Sequence, residues 1–282
     1  MLPRPLFAPL LVGALSLCAT MLSAQAVRAG FNTSSLGPTD DSFVSIANIG
    51  FAFNFYGAGP LFINNNGNVT FGDPYESFTP GPLASTGARM LAPFFADVDT
   101  RASTAVQYGT GVVGARNAFG VNWLNVGYFN SELVPPGLIR RNNFQLVFID
   151  RNDLGLGNFD VEFNYGTMQW ETGDASGGVN GLGGDDCARA GWSNGTGGSG
   201  ELTGSGVCGA LVGGGSNSVA DGGSGSQPGR YGFEVRNGAV VSLGTTVPEP
   251  STYALMTVGL AAIGVLSRRR AAINLSTPNR QS

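Results

Sequence analysis

Between residues 42 and 163 the apolar side chains come in short runs, several of them alternating with polar ones, and Gly, Pro, Asn or Asp interrupts them every few positions. No stretch there sustains the 3.6-residue period of an amphipathic helix. The chain therefore has to bury its apolar surface from strands, whose successive side chains point to opposite faces. The reading is an all-β fold, with antiparallel strands over residues 49–56, 61–63, 68–71, 89–96, 104–113, 118–129, 144–149 and 158–165. Two closing strands follow at 230–236 and 239–243. The run 49–56 places Phe51, Phe53 and Phe55 on one face, and with Phe94, Trp123, Phe144 and Phe163 they make the expected core. Asn64-Asn65-Asn66-Gly67 supplies residues that tolerate the positive φ of a tight hairpin. Turn signals at this spacing predict a β-sandwich or a barrel-like domain.

Composition changes after residue 173: 21 of the 57 residues from 173 to 229 are glycine. Glycine at that density loses too much backbone entropy to form regular elements unaided. The segment reads as long surface loops, with short strands near 188–192 and 207–212. Cys187 and Cys208 fall inside it. In an exported chain this pair is expected to form a disulfide, which stabilises by about 3 kcal/mol in the chain-entropy picture. No internal repeat of fixed period is present.

Both ends have their own signatures. A basic start at Arg4, an apolar run over residues 6–17 and the small-residue site Ala24-Gln25-Ala26 have the layout of a secretory signal, a helix removed by signal peptidase after Ala26. Leu17 is too large for lipoprotein processing at Cys18. At the other end, Val247-Pro248-Glu249-Pro250 precedes an apolar span over residues 253–266 and then Arg268, Arg269 and Arg270. As a helix the span rises only about 21 Å, against a hydrocarbon core of about 30 Å. That makes it a short transmembrane helix and a temporary hold in the inner membrane, with the arginines cytoplasmic and residues 271–282 as a cytoplasmic tail. The β domain is then 27–246.

That domain has 10 arginines, no lysine and 18 carboxylates, a net charge of −8. Such a surface repels phosphate backbones, so no nucleic-acid partner is expected. The chain contains no histidine, which removes Ser-His-Asp and Cys-His nucleophiles and His-ligated zinc. No catalytic residue is assigned and no enzyme is expected. Paired carboxylates remain as candidates for sugar chemistry: Asp97 with Asp99, Asp150 with Asp153, and Asp185 with Asp186. Asp97 and Asp99, at i and i+2 of a strand, share a face and are the candidate metal ligands. No cofactor is expected, and calcium is the ion that Asp-rich loops can take through oxygen, although no EF-hand spacing is present. Trp123, Trp170 and Trp192 are read as core, with a sugar-stacking platform as the alternative.

Six segments, at 62–71, 91–100, 121–128, 143–149, 159–165 and 188–192, taken in order resemble the nidogen-like extracellular domain. It occurs in basement-membrane and mucin-type animal proteins and in bacterial surface proteins. That resemblance implies a non-catalytic module of adhesion or matrix and carries no catalytic residues. The glycine-rich expansion after Ser193 departs from it. The C-terminal arrangement resembles the PEP-CTERM sorting signal of Gram-negative bacteria, processed by the membrane enzyme exosortase, although the tail after Arg270 is longer than usual. Together they imply an exported structural or adhesion protein that passes through the inner membrane and is sorted to the outer surface, the extracellular matrix or a biofilm. The alternative is a carbohydrate-binding module acting on extracellular polysaccharide.

Overall fold

The computed structural model describes residues 26–225 and 227–242. Fourteen strands are present among them. In chain order they are β1 (Ser34–Gly37), β2 (Phe43–Ile46), β3 (Leu61–Asn64), β4 (Asn68–Phe71), β5 (Arg89–Phe95), β6 (Val98–Asp99) and β7 (Val106–Val113). There follow β8 (Arg116–Tyr128), β9 (Asn142–Asp150), β10 (Phe159–Tyr165), β11 (Arg189–Asn194), β12 (Ser199–Glu201), β13 (Arg230–Arg236) and β14 (Ala239–Ser242). All pairings are antiparallel. One sheet runs β1-β7-β8-β9-β10-β13-β14 with β6 added beside β8, and the other runs β12-β11-β5-β4-β3-β2. The two pack as an open sandwich, which settles the choice between sandwich and barrel.

Alternation within the strands builds the core. Phe119, Val121 and Trp123 of β8, Phe144, Leu146 and Phe148 of β9, and Phe159, Val161 and Phe163 of β10 all point inward and are buried. They meet Leu61, Ile63, Val69, Phe71 and Leu91 of the smaller sheet. Trp123 stacks on Phe144 with ring centroids 5.2 Å apart. Its Nε1 donates to the Asn65 carbonyl of the opposite sheet at 2.9 Å, so one residue packs the core and ties the layers. Tyr165 does the same through its hydroxyl, which donates to the Pro93 carbonyl at 2.6 Å.

The alternate positions of the large sheet are polar yet buried: Asn122, Gln145, Glu162, Asn164 and Arg230. Residues 26–31 lie across them. The Arg28 backbone N–H donates to Gln145 Oε1 at 3.0 Å, and Gln145 Nε2 donates back to the Arg28 carbonyl at 2.8 Å. The Arg28 guanidinium pairs with Glu162 at 2.6 Å, and Arg230 donates to the Ala26 carbonyl at 2.7 Å. Phe31 then covers Ala118, Val147 and Ile149.

Two expected strands are absent. Residues 49–56 form an irregular segment whose backbone N–H groups bond to loops: Asn54 to the Gly157 carbonyl and Tyr56 to that of Gly238. Without a ladder the period-2 alternation fails, so Phe55 is fully buried while Phe51 and Phe53 are only partly buried against the core. Residues 207–212 are a chain of turns, Val207 N–H to the Gly204 carbonyl and Ala210 N–H to that of Val207, and Val207 is exposed. Strands β1, β2, β6 and β12 are additions to the sequence reading. Cys187 and Cys208 are bonded, 21 residues apart, and clamp the glycine-rich region as expected. The signal and anchor helices, Ala24, and the segments 247–270 and 271–282 lie outside the described residues. No helix among the described residues is long and apolar enough to cross a membrane.

Candidate functional site

The chain passes between the two sheets after β1, β5, β10 and β12, and the first three crossings meet at one end of the sandwich. The first carries Thr39, Asp40 and Asp41, the second Asp97, the third Gly173 and Asp174. Backbone bonds hold them together. Thr100 N–H donates to the Thr39 carbonyl at 2.8 Å, and Phe129 N–H to the Asp97 carbonyl at 3.2 Å. The β3–β4 hairpin tip fills the space between. Val98 N–H donates to Asn66 Oδ1 at 2.9 Å, and Asn66 Nδ2 donates to Asp41 Oδ1 at 2.7 Å. Asn65 Nδ2 donates to the Val98 carbonyl. Gly67 permits the tip at φ +73°, because a Cβ there would lie 1.8 Å from the Phe94 carbonyl oxygen.

One carboxylate oxygen each from Asp40, Asp41 and Asp97 lies within 4.8 Å of the others. Asp97 is only 1% exposed, and its Oδ2 has no hydrogen-bond partner; nor does Asp40 Oδ1. Burial, then repulsion from Asp41, Asp40, Asp99 and Asp174, pushes the Asp97 carboxyl up to about 8. Asp40 is pushed up to about 6 by burial, Asp99 and Asp41, with Arg101 pulling the other way.

Asp99 has a different fate. The bend after β5 leaves Asp97 outside a strand, whereas Asp99 lies in β6. Asp99 accepts the Arg101 backbone N–H at 2.9 Å and its guanidinium at 2.6 Å, closing a turn as short Asp side chains do. It is buried rather than solvated. The members of the other pairs have different partners or surroundings. Asp150 accepts from the Asn152 backbone N–H at 2.9 Å, whereas Asp153 pairs with Arg116 at 2.7 Å. Asp185 is exposed and Asp186 half-buried. Asp40 and Asp41 had no sequence signal beyond being adjacent acids, because their partner Asp97 is distant in the chain. Buried Glu171, also unforeseen, accepts the Gly209 N–H at 2.7 Å beneath the disulfide; burial raises its pKa against that bond.

A second feature opens along the edge between β11–β12 and β13–β14. It is a groove of about 820 Å³ walled by Trp192, Leu202, Tyr231, Phe233 and Val240, with Glu201, Asn217 and Asp221 as polar groups. Trp123 and Trp170 are fully buried, so core packing describes them. Trp192 is half-buried, faces the groove, and stacks on Tyr56 at 5.7 Å.

The sequence matches the nidogen-like domain over residues 60–114 and 108–237, most of the β sandwich just described. The chain belongs to the nidogen-like domain family. In this nidogen-like protein β1 and β2, with Asp40 and Asp41, precede the matched region. Residues 246–270 match the PEP-CTERM protein-sorting motif, which implies exosortase-type processing and export to the cell surface. The chain is similar to alpha-tectorin of Gallus gallus, 31% identical over 160 residues, and of Homo sapiens, 30% over 159 residues. In both cases 48% of this chain is covered. It spans only 7% of the length of those relatives. No solved structure matches it.

Proposed function

We propose that this is a non-enzymatic structural or adhesion component of a Gram-negative cell surface or extracellular matrix. A single observation carries the reading: within one chain a nidogen-like domain ends at residue 237 and a sorting motif begins at 246. Signal peptidase cleaves after Ala26, the short apolar span holds the chain in the inner membrane, and exosortase acts at Val247-Pro248-Glu249-Pro250. The domain then leaves as a disulfide-clamped sandwich suited to life outside the cell. Replacing Pro248, Glu249 and Pro250 with alanine tests the order of events by fractionation. The substituted chain is expected to accumulate full-length in the inner membrane, and unchanged surface delivery would refute exosortase sorting.

A second reading, binding of extracellular polysaccharide, is favoured by the Trp192 groove. An accessible aromatic wall beside a few convergent polar groups is the usual make-up of a small-ligand site. Glycan-array binding that disappears in Trp192→Ala would support it, and no binding to any glycan would leave the structural role alone.

A further inference from the structure

We infer that Asp40, Asp41 and Asp97 bind one hard divalent cation, calcium, at the end of the sandwich where the chain crosses between sheets. Two ligands on opposite sides of a calcium ion stand roughly 4.6–5.2 Å apart, given metal–oxygen distances of about 2.3–2.6 Å. Carboxylate oxygens already within 4.8 Å of one another therefore surround such an ion without rearranging the backbone.

The independent observation is Asp97 itself. At 1% exposure, a carboxylate oxygen with no hydrogen-bond partner bears its full desolvation penalty. No donor among the described residues relieves it. Nor does Arg101, whose guanidinium is held by both Asp99 oxygens and the Asp40 Oδ2 side. A cation among the three carboxylates supplies the missing partner and relieves their mutual repulsion. Gly173 packs directly against the Asp97 side chain. Its φ of −79° suits any residue, yet a Cβ there would come 2.2 Å from Asp97 Oδ2.

Ligand chemistry selects the ion. Only oxygens converge here, the chain has no histidine, and Cys187 and Cys208 are bonded to each other, so softer metals are disfavoured. Magnesium demands a tighter, near-octahedral shell. Asp40 and Asp41 lie outside the family match at 60–237, whereas Asp97 and Gly173 lie within it. The ion would fasten β1 and β2 to the sandwich wherever calcium is plentiful.

The test uses the full chain, stripped with EGTA and titrated with CaCl2 by calorimetry and thermal melting, with MgCl2 and ionic-strength-matched NaCl as controls. One calcium per chain is expected, with Kd of about 10⁻⁴–10⁻³ M as in other extracellular sites, together with a calcium-specific rise in melting temperature. Asp97→Asn keeps the side-chain shape and is expected to weaken binding at least about tenfold, a loss of about 1.4 kcal/mol. In EGTA it should melt no lower than the parent, since it removes an uncompensated buried charge. If the buried change misfolds, the half-buried Asp41→Asn repeats the measurement. Gly173→Ala, which crowds Oδ2 without straining the backbone, should weaken calcium as well. Absence of calcium binding by the parent chain, an equal response to NaCl, or undiminished binding by these variants overturns the inference.

Discussion

Gly67 and Glu162 each fix one part of the sandwich, and a substitution at either has a defined outcome. Gly67→Ala forces a Cβ against the Phe94 carbonyl oxygen at a positive φ. The loss is expected to be about 3 kcal/mol, read by urea unfolding. Glu162 sits between Arg28, at 2.6 Å, and Arg230, at 3.7 Å. Burial alone would raise its pKa, but the Arg28 bond and the two positive charges hold it below the ordinary 4.5. The stabilisation is therefore complete above pH about 4.5 and disappears as pH falls through the lower folded-state value. Glu162→Gln should cost about 3 kcal/mol at pH 7 by leaving buried arginines uncompensated, and should flatten the acid limb of a stability–pH curve. An unchanged acid limb would contradict this assignment. At this scale the sequence was informative where chemistry is local. The Asn-Asn-Asn-Gly tip and the bonded cysteines were readable. Asp40 and Asp41 were not, because only the crossing topology brings them to Asp97.

Among the elements, the long strands β5, β7, β8, β9, β10 and β13 were readable because each has one face in the core, which imposes alternation. The segment 49–56 alternates equally well but bonds to loops, and nothing in its residues reports that Gly157 and Gly238 will supply the acceptors. Strands β1 and β12 are short, mostly polar and exposed or half-buried, so no apolar pattern marked them, whereas β2 has apolar residues but only four positions and a half-exposed face. Trp123 is the element-scale link between sheets. Trp123→Phe removes one of the two donors to the buried Asn65 carbonyl, leaving the Gly67 N–H, and opens a small cavity, a loss of about 1–3 kcal/mol that chemical denaturation will register. The disulfide joins the start of β11 to the long connection before β13. Replacing Cys187 and Cys208 with serine should lower stability by about 3 kcal/mol, with hydrogen exchange rising first across residues 195–225.

In the whole molecule, an acidic β sandwich precedes a C-terminal sorting motif. The sandwich's N-terminal edge bears on how it matures. Residues 28–31 cover the polar face of the large sheet, so on the proposed route processing after Ala26 gives up the Arg230 bond to the Ala26 carbonyl but keeps the contacts that seat the new N-terminal segment. On the proposed route the apolar span at 253–266 and its three arginines serve a transit form and are absent from the delivered protein. Intact-mass measurement of the protein recovered from the cell surface tests this most directly. The expected mass is that of a chain that begins at Val27 and ends in the Val247–Pro250 region, bearing whatever the sorting enzyme attaches there. A surface form whose mass still includes Arg268, Arg269 and Arg270 would contradict it and make the C-terminal span a permanent anchor.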